Sequence, residues 1–147
     1  MVIIVAPHSS NWDFLIGVGL KLALRLDASF LGKSELFRWP LGPVMRWLGG
    51  IPVDRNRPDG VVQAALDMFA ARSSLILAMA PEGTRKPVDR WKTGFHRIAS
   101  GAGVPIVPGY FDNRTKRVGF GAPFTATADA ERDMAALRAF YADKPRR

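Results

Sequence analysis

Cysteine is absent from the 147 residues. That excludes disulfides, thiolate zinc sites and a cysteine nucleophile, although it does not fix the compartment. Histidine is scarce, with two in the chain, His8 and His96. Long apolar runs are missing too. The longest, Phe14–Leu26, is interrupted by Lys21 and Arg25, whereas a membrane span needs about 20 apolar residues. Val2–Ala6 is too short for a secretory signal core and has no basic segment before it. Internal repeats, low-complexity tracts and linkers are also lacking.

Acidic residues are outnumbered, 13 against 21 Lys and Arg, for a formal net charge of +8. Such an excess suits an anionic partner: nucleic acid, lipid headgroup or phosphorylated substrate. Nucleic acid is disfavoured, because no helix-turn-helix signature, RNA-binding motif or zinc-finger spacing accompanies the charge. Hydrophobic residues make up 48% and charged residues 23%, the balance of one globular domain with a true core.

The pattern predicts strands at Val2–Ala6, Ala28–Leu31, Ser74–Ala80 and Val104–Phe111, with an edge strand at Lys116–Phe120. It predicts helices over Asn11–Leu26, Pro58–Ala71, Thr93–Ser100 and Asp129–Tyr141. Strands alternating with helices make this an α/β chain, a central mixed or mostly parallel sheet flanked by helices in a single domain, 1–147. Residues 33–48 combine Leu36, Phe37, Trp39, Val44, Trp47 and Leu48 with Lys33, Arg38 and Arg46, and Pro40 and Pro43 break them into short pieces. Trp and Phe settle at lipid headgroup depth and Arg attracts anionic lipid, so this segment suits a membrane interface; packing of Leu36, Phe37, Val44 and Leu48 into the core is the other reading.

His8 and Asp13 flank a strand-to-helix turn, where α/β sheets bind ligands. A carboxylate can fix one imidazole nitrogen and leave the other as a base. Ser9 and Ser10 carry no sign of activation as nucleophiles. After the strand at Ser74–Ala80 comes Pro81-Glu82-Gly83-Thr84-Arg85: Gly83 permits close backbone approach, Thr84 offers a hydroxyl and Arg85 a planar fork for phosphate or carboxylate. Lys33 and Lys92 are weaker basic candidates, and His96, on a helical pattern, reads as structural or surface.

Taken in order, His8-x-x-x-x-Asp13, Gly49-Gly50-Ile51-Pro52-Val53-Asp54-Arg55, Glu82-Gly83-Thr84-Arg85 and Val104-Pro105-Ile106-Val107-Pro108 resemble the four sequence blocks of the glycerophospholipid acyltransferase family, which includes bacterial 1-acylglycerol-3-phosphate acyltransferases. Lys33-Ser34-Glu35-Leu36-Phe37 with Pro40 and Gly42 adds to the likeness, which covers roughly residues 3–110. The resemblance implies a glycerolipid acyltransferase-like fold and transfer of a fatty acyl group from acyl-CoA or acyl carrier protein to a lysophospholipid, with 1-acylglycerol-3-phosphate the default acceptor. It assigns His8 as general base, Asp13 as its orienting partner, Arg55 as a clamp on the acceptor's anion, and Glu82, Gly83, Thr84 and Arg85 as the acceptor pocket.

A backbone N–H at the start of the Asn11 helix is a candidate oxyanion donor. The acyl donor is a substrate, and no metal or cofactor is implied. The expected setting is cytoplasmic, peripheral on an anionic membrane surface. Many members carry N-terminal membrane-docking helices that these residues lack, which makes the chain either a minimal form or one truncated at its N-terminus. Acylation of another lipid alcohol is the nearest alternative, and a non-catalytic membrane-binding module with the same fold is the rival class.

Overall fold

The computed structural model describes residues 1–6, 11–54, 58–83, 90–112, 115 and 117–144. Six strands form one sheet: β1 (Val2–Val5), β2 (Ala28–Lys33), β3 (Gly50–Val53), β4 (Ile76–Met79), β5 (Ile106–Asp112) and β6 (Arg117–Phe120). Their order across the sheet is β3-β2-β4-β1-β5-β6. The first five are parallel, and β6 joins β5 antiparallel at the edge. The helices are α1 (Asn11–Ala23), α2 (Gly42–Trp47), α3 (Pro58–Ala71), α4 (Gly94–Ala102) and α5 (Ala130–Ala142). A single 3-10 turn, Ser34–Phe37, precedes α2.

The sheet is dry on one face. Val2, Ile4 and Leu77 are fully buried, and Ile106 continues their row. They pack with Phe95, Ile98 and Ala99 of α4, Val62 and Ala65 of α3, and Met134, Leu137 and Tyr141 of α5. The i, i+3, i+4 spacing of Phe95, Ile98 and Ala99 lays all three on one side of α4. The alternate residues, Ile3 and Val5, are only partly buried. On that second face Phe30, in register with Ala78 of β4, meets Phe14 of α1 edge-on, with ring centroids 5.0 Å apart. Thus α1 covers one face while α3, α4 and α5 cover the other, as right-handed crossovers require when β1 connects in one direction and β4 in the other.

Local chemistry sets the element ends. The predicted helix from Asn11 stops at Ala23, not Leu26. Arg25 adopts φ +51°, and the N–H groups of Leu26 and Arg25 return to the carbonyls of Lys21 and Leu22. This is the two-bond closure usually built on glycine. Lys21 Nζ then donates to Ala28 O at 2.7 Å and Leu48 O at 2.9 Å, tying α1 to β2 and to the end of α2. α4 closes the same way on Gly103 at φ +62°. Asp129 caps α5 by accepting from Arg132 N at 3.0 Å. The sequence pattern assigns no strand to Gly50–Val53; the structure makes it β3, and Pro52 is tolerated there because this is an edge strand paired to β2 alone.

Candidate functional site

Parallel register brings the key segments to one edge. Ile4 of β1 lies opposite Met79 of β4, and Lys33 of β2 opposite Val53 of β3. The chain therefore leaves β1 toward His8 and leaves β4 toward Glu82 from adjacent strands at the carboxyl end of the sheet. Asp54 follows β3 at the same end. Because β1 leads into α1 on one face and β4 into α4 on the other, this end of the sheet is a topological switch point, the usual ligand position in such folds.

Asp13 sits in the first turn of α1 and is 4% exposed. A carboxylate so buried persists only where its oxygens are satisfied, and the positive end of a helix favours it. His8 lies outside the described residues, as do Arg55, Thr84, Arg85, Ser9 and Ser10. Asn11 begins α1, so the candidate oxyanion donor belongs to a true helix N-terminus.

The loop after β4 is built around Gly83. Pro81 is fully buried, and its carbonyl accepts from Lys92 N at 2.9 Å while Gly83 N donates to Ala80 O at 3.1 Å. Gly83 has φ +64°, and a β-carbon there would meet Lys92 Cδ at 2.7 Å and Cε at 2.9 Å. The left-handed backbone favours glycine, and the flexible Lys92 stem packs over the face it leaves open. Glu82 is partly buried beside it, and its charge reaches the hydroxyl of Tyr141.

Lys92, a secondary candidate in the sequence, is thus brought against Glu82-Gly83 with its side chain exposed, while Lys33 stands exposed at the end of β2. His96 is buried and bonded to Asp133, Nε2 to Oδ2 2.8 Å, the structural role expected of it. A carboxylate only accepts, so Nε2 carries the hydrogen. Tyr141 escaped the sequence reading, since nothing in a helix periodicity marks where a hydroxyl ends up. An open groove of about 680 Å³, lined by Met1, Leu66, Phe69, Leu75 and Val104 among others, lies at the amino end of the sheet, away from these residues.

The sequence profile of the acyltransferase family matches residues 1–112. The chain belongs to the acyltransferase family. Among curated members it is 29% identical over 123 residues to the 1-acyl-sn-glycerol-3-phosphate acyltransferase of Salmonella typhimurium, covering 79% of this chain and 49% of that protein. It is 30% identical over 113 residues to the enzyme of the same name from Escherichia coli, covering 72% and 44%. This acyltransferase chain spans about half the length of those relatives. The crystal structure of the 1-acyl-sn-glycerophosphate (LPA) acyltransferase from Thermotoga maritima matches the fold with a TM-score of 0.61 at 20% identity, covering 99% of this chain and 68% of that one.

Proposed function

We propose that this acyltransferase moves a fatty acyl group from a thioester, acyl-CoA or acyl carrier protein, to the free hydroxyl of a lysophospholipid, with 1-acylglycerol-3-phosphate the leading acceptor. The observation that supports the reading is the parallel pairing of β1 with β4, by which the chain leaves both strands at the same end of the sheet, with His8 and Glu82 next in sequence. The names of the curated relatives support the choice of acceptor.

In this reading His8 takes the proton of the acceptor hydroxyl while Asp13 holds the imidazole and stabilises its cationic form. The hydroxyl oxygen attacks the thioester carbonyl carbon to give a tetrahedral oxyanion, for which the first N–H groups of α1 are the nearest preorganised donors. Collapse breaks the carbon–sulfur bond, and the leaving thiolate recovers the proton from His8. The acceptor is itself the nucleophile, so no acyl-enzyme forms. Arg55, Arg85 and Lys92 hold its phosphate, and Glu82, Gly83 and Thr84 shape the pocket; binding the remote anion fixes the hydroxyl for attack.

The second part of the proposal is peripheral binding to an anionic membrane. Among the described residues no helix is long and apolar enough to cross one. Leu36, Trp39, Leu41, Val44 and Trp47 are nevertheless exposed, Trp39 at 88% and Trp47 at 73%. Lys33, Arg38 and Arg46 of the same segment are exposed as well. Leu22 and Leu24, also exposed, lie at the end of α1, which Lys21 bonds to Leu48 O after α2. Exposed apolar side chains interleaved with cations suit a lipid interface.

The test is thiol release from palmitoyl-CoA with and without lysophosphatidate, for wild type and His8→Ala. The expected result is acceptor-dependent release that falls about 10³-fold in the variant. Release that ignores the acceptor, or survives loss of His8, defeats the mechanism.

A further inference from the structure

Helix α5 lies beyond the residues that the family profile matches, yet its last turn reaches the candidate site from behind. Tyr141 is 8% exposed. Its hydroxyl oxygen stands 3.0 Å from Ile4 O of β1 and 3.0 Å from Gly109 O of β5. Val5 and Gly109 are the last registered pair between these two strands. Beyond them Ala6 N donates to Gly109 O at a longer 3.3 Å, and the next two residues are Pro7 and His8. One phenolic hydrogen is therefore shared between two carbonyls where β1 leaves the sheet.

The ring is held as firmly as the hydroxyl. Trp91 meets it edge-on at 5.3 Å and Phe140 at 5.0 Å. Trp91 immediately precedes Lys92, the residue laid over Gly83. Burial, first, and the negative charge of Glu82 push the pKa of the phenol well above its ordinary value. Tyr141 is accordingly a donor at any physiological pH, placed between the exit of β1 and the loop of Glu82.

We propose that Tyr141 is a positioning residue: by pinning the end of β1 to β5 it fixes the point at which the chain leaves the sheet, four residues after which His8 stands in the sequence. The catalytic consequence rests on the role of His8 proposed above; the positional one does not. A backbone exit displaced by a fraction of an ångström moves a base four residues on out of line with its hydroxyl, which acts on turnover and leaves acceptor binding intact.

Tyr141→Phe isolates the hydroxyl, because it keeps both ring contacts and Gly109 O retains the N–H of Ala6. The chain has two histidines, so imidazole NMR titration resolves them, with His8→Ala giving the assignment. In Tyr141→Phe the His8 resonances and their titration should shift while those of His96 stay, and kcat should fall about tenfold at unchanged KM. Ile98→Val, fully buried on α4, is the packing control: it should lower Tm without moving His8. An unmoved His8 in Tyr141→Phe, an equal movement in Ile98→Val, or wild-type kcat despite a moved His8 overturns the proposal. A moved His8 in Tyr141→Phe, together with a wild-type protein that transfers no acyl group, would leave the positioning intact and remove the assigned reaction instead.

Discussion

The side chain of Lys92 lies across the α-carbon of Gly83, so that a β-carbon there would sit 2.7 Å from Lys92 Cδ. The contact joins the loop after β4 to the chain that enters α4, and it makes the loop's glycine and its neighbouring cation a single unit. Gly83→Ala would meet both the clash and a left-handed backbone at φ +64°. Stability should fall by about 1–2 kcal/mol in urea titration, and kcat/KM by about 10²-fold. Gly103→Ala separates the two effects: its φ is +62° but nothing lies within 4 Å, so it should show the stability loss with wild-type kinetics.

Lys92→Met keeps the aliphatic stem over Gly83 and removes the charge. If the ammonium helps to hold the acceptor phosphate, KM for lysophosphatidate should rise about tenfold with kcat little changed. A neutral monoacylglycerol as acceptor should show no such difference between wild type and variant.

Asp133 anchors α5. Its carboxylate accepts from His96 Nε2, from Thr127 N at 2.6 Å and from Thr127 Oγ1 at 2.9 Å. Burial pushes its pKa up, but the bonds from Thr127 and His96 outweigh that and hold it below the ordinary 3.8. A carboxyl with a lowered folded value stabilises the fold fully above its unfolded value and loses that contribution as pH falls through the folded one. Asp133→Asn should cost about 2 kcal/mol at pH 7, and the gap from wild type should close as the pH is taken progressively below 3.8. Urea titrations across that acid range check it.

Trp39→Ala combined with Trp47→Ala should barely change Tm, because both rings are exposed. The pair should weaken sedimentation with anionic vesicles by about tenfold or more, and less so with zwitterionic ones. Phe37→Ala should do the reverse: it is 7% exposed, and its loss should destabilise the fold by about 3 kcal/mol. Unchanged vesicle binding in the double variant would remove segment 33–48 from the interface.

The sequence by itself determined the α/β class, most element positions and the order of the four blocks, because strand and helix periodicities and turn residues are local properties of the chain. The blocks that mark the family are likewise contiguous strings, readable without a fold. Local pattern failed where a neighbour decided the outcome. No strand is assigned to Ile51-Pro52-Val53 from sequence, and only pairing to β2 at the edge of the sheet makes it one. The segment 33–48 suits an interface, with core packing the other reading, and the packing divided it, burying Phe37 and leaving Trp39 and Trp47 in the open. Lys92 looks like any surface lysine until the loop after β4 folds beneath it. Tyr141, 137 residues from Ile4 in the chain, acquires its two carbonyl partners only when α5 closes over β1 and β5. Such long-range bonds have no local signature: they form because the sheet and its helices bury a common core, and that burial chooses which distant groups must satisfy one another.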